Sequence, residues 1–475
     1  MPEHDKLNIV FILLDQMRAD CLSIVGHPTV ETPNIDQLGH RGVVFTAAYS
    51  SCPSCIAARA SIWTGSAPTR HGRIGYQDQV PWGYTDMLPE LLGAAGYQTH
   101  CVGKTHFYPQ RAHCGFHSID SYEANQNFDG LYVNDYFEWL REQTNGRLEE
   151  RGHGLDSNSW VARPSHLPEE LHNNSWVATK GIDFLRRRDK TRPFFLNLSF
   201  HRPHPPIDPP QSFFDLYKDR DVPPPAIGDW AQIHDVPVTD INAWRGRLPE
   251  QTLARSRRAY YAQVAHIDNQ IGRFILELKK ADAGPTAVIF TADHGEMLGD
   301  HHLFRKSYAY QGSAAVPLII SLPGGASGMV CDAPTVLEDL YPTILDLAGV
   351  PTPQDIDGHS LAPLVGLGAP APDWPAFVHS EHSSCYAREN AMQLLSDGKQ
   401  KYIWFPVTGG EQFFDLANDP HELHDLAGAR AARDDLAKWR QRMIDTLRPR
   451  EEDGLTDGQQ LIHGVELPAA RSWLL

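Results

Sequence analysis

Continuous apolar runs, each stopping at polar or charged residues, limit what this chain can fold into. Asn8 to Leu14, Thr286 to Ala292 and Val316 to Leu322 hold few polar residues, where a strand with one wet face would alternate. Such runs read as strands buried on both faces. Val43-Val44-Phe45, Gln98 to Val102 and Phe194 to Phe200 add three more strands. Helical stretches lie between them. Thr32-Pro33-Asn34 opens one, with Pro just inside its start. Pro89 to Ala95 is closed by Gly96, and Leu337 to Leu347 by Gly349. Val177, Gly181, Phe184 and Leu185 recur at helical spacing, as do Val264, Ile267, Ile271, Phe274, Ile275 and Leu278. Strands alternating with helices predict an α/β fold, a mostly parallel sheet covered by helices on both faces.

That pattern ends near a Pro/Ala-rich linker at Pro370 to Pro375. The division expected is a catalytic α/β domain over 1–368 and a small α+β domain over 369–475. The latter carries a strand at Tyr402 to Phe405, a turn at Asn418-Asp419-Pro420, and a helix with Leu436, Trp439, Met443 and Leu447 on one face. Phe107 to Pro168 reads as irregular, an insertion or lid, and Pro209 to Leu248 as a Pro-rich loop. Segments 107–168 and 207–248 are where a substrate pocket is expected. Their aromatics Tyr122, Phe128, Tyr132 and Trp160 read as packing residues before stacking ones.

Charge narrows the partners. Lys plus Arg is 42 and Asp plus Glu 59, a net charge of -17, which argues against nucleic acid or an anionic membrane as the main partner. An anionic substrate must then be met by a local cluster of cations. The run Ile9 to Leu14 is too short to span a membrane, and its front is too acidic for a signal peptide. Seven cysteines without regular spacing suit a reducing compartment, so a cytoplasmic location is expected.

The ends of the strands carry the chemistry. Asn8 to Leu14 stops at Asp15-Gln16, Gln98 to Val102 at Gly103-Lys104-Thr105-His106, Phe194 to Phe200 at His201-Arg202-Pro203-His204-Pro205-Pro206, and Thr286 to Ala292 at Asp293-His294-Gly295. Lys306 lies a little beyond the last. Taken singly, each reads as readily as a solvated turn. Together they offer oxygen-rich ligands for a hard divalent cation, ringed by cations able to hold an oxyanion. Lys104 and His106 would point the same way only on extended backbone.

The stretch Ser51 to Gly65 places Cys55 four residues before Arg59, ahead of a small and apolar helical segment. A thiol at a helix start, one turn from a cation, suits an activated residue as well as a small core cysteine. Cys52 and Cys55 form a C-x-x-C without a second pair to complete a zinc site. With the strand ends, Cys55 describes a metal-assisted hydrolase of an anionic ester. A thiolate, however, is a soft ligand among hard ones. Either the cysteine is not a ligand, or it is no longer a cysteine.

The chain resembles the type I sulfatases of the alkaline phosphatase superfamily. The matching segments run in order from Asn8-Ile9-Val10 through Asp15, Thr32-Pro33-Asn34-Ile35-Asp36, Cys55 to Arg59 with Thr64-Gly65, and Gly103-Lys104-Thr105-His106. They continue with Pro203-His204-Pro205-Pro206, Thr291-Ala292-Asp293-His294-Gly295, Leu298-Gly299-Asp300-His301, Lys306, Asp339-Leu340-Tyr341-Pro342-Thr343, Phe414-Asp415-Leu416 and Asp419-Pro420. The resemblance implies an alkaline phosphatase-like sheet with a small C-terminal domain. It implies that Cys55 is oxidised to formylglycine, whose hydrated aldehyde gives the metal a hard oxygen. One hydroxyl attacks sulfur and the second expels sulfate. By the same resemblance Asp15, Gln16, Asp293 and His294, with residue 55, hold the metal. That metal is calcium first, with manganese or magnesium open to the same ligands. Lys104 and Lys306 bind sulfate oxygens, Arg59 stabilises the formylglycine, His106 handles its proton, and His204 protonates the leaving oxygen.

Two positions depart from the usual pattern. Ala57 stands where the motif has Pro, similar to the variant accepted by radical-type maturases, so the maturation partner is a formylglycine-generating oxidase or a radical maturase. Asp15-Gln16 replaces Asp-Asp, similar to the choline sulfatase and phosphonate monoester hydrolase branches. The expected activity is hydrolysis of a small anionic sulfate ester. A phosphonate monoester or phosphodiester hydrolase is the alternative on the same scaffold, and a silent metal-binding protein the alternative if Cys55 stays a thiol. The apolar tail Val465 to Leu475 either docks on a second copy of the chain, making a homo-oligomer, or folds back on its own domain.

Overall fold

The computed structural model describes residues 6–124, 132–367 and 374–475. β1 (Asn8–Asp15) leads through α1 (Pro33–His40), β2 (Val43–Phe45) and β3 (Ala48–Tyr49) to α2 (Cys55–Thr64) and α3 (Pro68–His71). Next come α4 (Leu88–Ala94), β4 (Gln98–Gly103), β5 (Ser118–Ser121), α5 (Asp135–Thr144), α6 (Asn173–Arg187), β6 (Phe194–Pro203) and α7 (Gln211–Tyr217). The long α8 (Glu250–Lys280) precedes β7 (Thr286–Ala292), α9 (Gln311–Ala314), β8 (Leu318–Ser321), β9 (Met329–Cys331), β10 (Thr335–Val336) and α10 (Leu340–Ala348). The C-terminal part holds β11 (Val378–His382), β12 (Met392–Ser396), β13 (Gln400–Trp404), β14 (Glu411–Asp415) and α11 (Arg433–Leu447).

Eight strands make the main sheet, in the order β5-β4-β6-β1-β7-β8-β2-β9. Only β8 runs against its neighbours β7 and β2; the other pairs are parallel. The mostly parallel sheet expected from the sequence is present. The central β1 shows why its run is apolar at nearly every position. Val10, Ile12 and Leu14 share a core with Val264, Ile267 and Ile271 of α8. Ile9, Phe11 and Leu13 share another with Ile62 and Trp63 of α2 and Ile344 of α10. Side chains alternate across a strand, so one run feeds two cores. Each fully buried Leu or Phe there contributes about 1.5–3 kcal/mol over exposure.

The segments expected to be irregular carry some regular structure. Within 107–168 lie β5 and α5. β5 is an edge strand paired only with β4, so Ser118-Ile119-Asp120-Ser121 needs no apolar run. α5 is capped by the Asn134 side chain, which accepts from Phe137 N at 3.3 Å. Within 209–248, α7 follows Pro210 and buries only Tyr217, too narrow a face to read as periodic. Tyr122 is fully buried, as expected of a packing residue. Phe128 and residues 370–373 of the expected linker lie outside the described residues.

β11 to β14 form an antiparallel meander. One face packs under α11 through Tyr402, Trp404, Trp439 and Met443. The other packs Leu394, Ile403 and Phe414 against Tyr49, Tyr308 and Tyr310. β11 also bonds the segment before α2: Ser380 Oγ donates to Ser50 O at 2.7 Å and Glu381 N to Ser51 O at 2.9 Å. The tail folds back on its own chain, with Ile74 N donating to Ala469 O at 2.8 Å and Arg471 N to Gly72 O at 2.8 Å.

A buried carboxyl sits behind this junction. Glu338 bonds Ser51 Oγ, and burial together with Asp339 pushes its pKa up to about 8. The folded value lies above the unfolded one of about 4.3, so the stability it gives is complete below pH 4.3 and is lost as pH rises through 8. Glu338→Gln is therefore expected to melt above the parent at pH 9, by about 2 °C or more, with the gap closing toward pH 5. Thermal unfolding across that range checks it, and a pH-independent gap would be contrary.

Candidate active site

β4, β6, β1 and β7 are neighbours in the sheet, and their carboxyl ends converge, the usual place for a ligand in an open α/β sheet. Asp15 closes β1, Lys104 follows β4, and Asp293 and His294 follow β7. β6 reaches the site through a bulge: Phe200 pairs with Leu14, and Pro203 with Asp15. His204 N then donates to Asp15 O at 3.1 Å.

Cys55 is the first residue of α2 and only 1% exposed. Its Sγ lies 3.1 Å from His294 Nε2, 3.4 Å from Lys306 Nζ and 3.6 Å from Asp15 Oδ1. Burial and Asp15 push its thiol up, but Lys104, Lys306 and His294 outweigh them and hold it well below the ordinary value. Cys52 lies in the preceding loop, and burial pushes its thiol well up. The two cysteines of the C-x-x-C are thus opposite in character.

The acids share their cations. The Lys104 ammonium pairs with Asp15 Oδ2, and Arg59 Nη2 stands 3.8 Å from the same atom. Burial would raise the Asp15 carboxyl, but Lys104, His204, His294 and Lys306 keep it well below its usual range. Asp293 Oδ2 accepts from Arg59 Nε at 2.9 Å, while its Oδ1 accepts from Gln16 N at 3.1 Å and His294 N at 3.0 Å. Arg59 Nη1 also ties Lys104 O at 2.8 Å to Ser199 Oγ at 2.9 Å.

Two neighbours decide which atoms face the centre. Gln16 has φ of 66°, in the left-handed region, and its Nε2 donates to Glu296. Its Oε1 is therefore the atom presented, and it accepts from Lys306 Nζ at 2.9 Å. His294 Nδ1 donates to Gly295 O at 2.9 Å, which leaves Nε2 facing Cys55. One ligand atom each from Asp15, Cys55, Asp293 and His294 lie within 4.8 Å of one another, all buried. Two carboxylates, an imidazole nitrogen and a nearby amide oxygen fit a hard or borderline divalent metal. The thiol is the one donor that does not match.

His204 and His106 flank this cluster. His204 Nδ1 donates to Pro205 O at 2.8 Å, and its Nε2 accepts from Lys306 Nζ at 2.9 Å. Burial and Lys306 push its pKa well down. His106 is reached differently from the extended backbone expected. Its φ is 63°, because Thr105 N at 2.6 Å and His106 N at 2.7 Å both donate to Glu123 Oε1 and turn the chain. Lys104 and His106 reach the site across that turn.

All ten residues named from the sequence come together. Sequence reasoning missed Glu296, Glu123, Ser199, Tyr76 and Asp78. Glu296 was within reach, one residue past Asp293-His294-Gly295. Gln77-Asp78-Gln79 sits in a loop with no periodicity and gives no signal. Several motif residues are structural. Asp300 holds Arg18 at 2.8 Å and Arg257 at 3.1 Å. Asn34 N donates to Asp268 of α8 at 3.0 Å, fixing the start of α1.

The family model described as Sulfatase matches residues 7–350, and that described as N-sulphoglucosamine sulphohydrolase, C-terminal, matches residues 299–448. An arylsulfatase of Clostridium perfringens is 42% identical over 476 residues, spanning 97% of this chain and 98% of the relative. The multifunctional alkaline phosphatase superfamily protein PehA of Trinickia caryophylli is 30% identical, over 89% of this chain and 91% of its own. The crystal structure of the phosphonate monoester hydrolase of Agrobacterium radiobacter superposes with a TM-score of 0.79 at 26% identity, covering 94% of this chain and 96% of that one.

Proposed function

The chain belongs to the sulfatase family and is a sulfuric ester hydrolase, and we propose that it works at the strand-end cluster with residue 55, converted from cysteine to formylglycine, as nucleophile. The observation that carries this reading is the setting of Cys55. It is a buried thiol at a helix start, among donors that suit a hard metal and between two lysines. An aldehyde hydrate at that position replaces the mismatched sulfur with oxygen and supplies the attacking hydroxyl. A divalent metal would be held by Asp15, Gln16, Asp293 and His294, and when bound it supplies Lewis-acid polarisation and neutralises charge.

The chain's own residues do the rest. Arg59, fixed by Asp293, Lys104 O and Ser199, has Nη2 buried without a hydrogen-bond partner among the described residues, 3.8 Å from Asp15. That N–H is available to an oxygen at residue 55. Lys104 and Lys306 meet the oxygens of a small anionic ester as charge-assisted donors. Lys306 and His204, 2.9 Å apart, hold between them the proton that the leaving oxygen needs. Burying these groups away from water strengthens each of those interactions.

Maturation belongs to the proposal. Cys55 is 1% exposed in the folded chain, so an enzyme that oxidises it acts before the helix is covered. Ala57 favours a radical-type maturase as that partner. Among the described residues no helix is long and apolar enough to cross a membrane. The free cysteines suit a reducing compartment, and the setting proposed is the cytoplasm.

The second reading is a phosphonate monoester or phosphodiester hydrolase, favoured by the likeness to the phosphonate monoester hydrolase. Parallel kcat/KM measurements on an aryl sulfate and a phenyl phosphonate ester, with converted enzyme, separate the two. The sulfate is expected to lead by about tenfold or more. A lead for the phosphonate would reverse the assignment.

A further inference from the structure

His106 is 6% exposed, and its two ring nitrogens differ in their partners. Nε2 lies 3.3 Å from Asp78 Oδ1. Nδ1 is buried with no hydrogen-bond partner among the described residues. The carboxylate is itself held. Tyr76 Oη donates to Asp78 Oδ2 at 2.6 Å, so each oxygen of Asp78 takes one donor. The Tyr76 ring also stands edge-on to the imidazole, with centroids 6.1 Å apart and planes at 78°. The loop carrying Asp78 is fastened by the buried Arg73, whose Nη2 donates to Val80 O at 3.0 Å and Pro81 O at 2.9 Å.

We propose that Asp78, braced by Tyr76, is a positioning residue that holds the proton of His106 on Nε2 and leaves the Nδ1 lone pair free toward residue 55. The inference rests on the reading of residue 55 as nucleophile. It adds the groups that give His106 its direction. A carboxylate accepting from one imidazole nitrogen fixes the tautomer and raises the basicity of the other. The nucleophile, imidazole and carboxylate then stand in the order that recurs wherever a base must face an attacking oxygen. Once sulfate sits on one residue 55 oxygen, the proton of the other hydroxyl goes to His106 Nδ1 as the aldehyde C=O forms, the C–O bond to sulfate breaks and sulfate leaves; Asp78 meets the charge on the ring, the proton passes to solvent, and a water adding across the aldehyde restores the hydrate with its own two protons. Tyr76, 41% exposed, puts this relay at the mouth of the site.

Two readouts test it. The first needs no turnover and uses the unconverted cysteine form. Two-bond proton–nitrogen spectra of 15N-histidine protein, assigned with His106→Gln, are expected to show His106 as the Nε2–H tautomer. Asp78→Asn is expected to mix the tautomers. A parent spectrum in the Nδ1–H form, or one unchanged by Asp78→Asn, overturns the proposal. The second readout is kinetic. Asp78→Asn is expected to lower kcat by about 100-fold or more, with KM within about threefold, and Asp78→Glu to recover most of it. Tyr76→Phe, which removes only the hydroxyl donor, is expected to lower kcat by about 3–10-fold without moving the thermal midpoint. It also stands in if Asp78→Asn does not fold. Unchanged kcat in both Asp78→Asn and Tyr76→Phe overturns the proposal. A parent inert on sulfate esters, but with the expected tautomer shift, counts against the proposed function and leaves the positioning role standing.

Discussion

Replacing Cys55 by alanine is expected to lower kcat/KM on an aryl sulfate by about 10⁴-fold or more, while Cys52→Ala stays within a few-fold of the parent. The contrast follows from surroundings three residues apart. Cys55 opens α2 within 3.6 Å of Asp15, His294 and Lys306. Cys52 is packed in the preceding loop, so its truncation removes one buried sulfur and costs on the order of 1 kcal/mol. Mass spectrometry of the tryptic peptide carrying residue 55 is the companion measurement. Protein from the native host is expected to carry the aldehyde or its hydrate. An unmodified thiol there would sink the formylglycine reading, whereas a thiol from a foreign host lacking the maturase would not. Ala57 adds a finer test. It is the third residue of α2, where a backbone N–H has no helical acceptor and proline is tolerated. Ala57→Pro is expected to raise conversion in a host that has only the common oxidase. Because Ala57 is fully buried, the added ring costs about 1–3 kcal/mol of stability through overpacking.

The parts of this chain visible in the sequence are those whose physics is local. Thr286 to Ala292 was readable residue for residue, because a strand buried on both faces is apolar at most of its positions. The glycines closing α4 and α10 were readable too; Gly96 and Gly349 have φ of 95° and 65°. β5 and α7 were not, since an edge strand and a helix burying one residue leave no periodic trace. The site divides in the same way. Asp15, Asp293 and His294 stand at the ends of readable strands, and their convergence follows from strand order. Asp78 and Glu123 reach His106 from a loop and from the end of an edge strand, 28 and 17 residues away in sequence. No spacing rule connects them. The direction of the Gln16 amide was likewise out of reach, because Glu296 fixes it from 280 residues away.

Stripping divalent ions from the converted enzyme is expected to cost about 10³-fold or more in turnover, and manganese is expected to restore more of it than calcium. The sequence put calcium first; the donor set argues for the reverse order. Calcium takes oxygen ligands almost exclusively, while an imidazole nitrogen suits the later divalent metals and is compatible with manganese. His294 presents that nitrogen, held in place by the bond from Nδ1 to Gly295 O at 2.9 Å. Gln16 contributes a neutral oxygen in place of a third carboxylate, which further weakens the case for an ion bound mainly by charge. Among the described residues Asp15 and Asp293 are the carboxylates of the donor set, so Asp15→Asn is expected to lose most of the metal-dependent activity. His294→Asn makes the set all oxygen and is expected to shift the preference toward calcium. Thermal midpoints with each ion give a readout free of turnover, because an ion at about 100 times its Kd stabilises the folded chain by about 2.7 kcal/mol. Parent enzyme that works as well or better with calcium, and is stabilised as much by it, would remove the role given to the imidazole. An Asp15→Asn variant that keeps metal-dependent turnover would move the metal away from the end of β1.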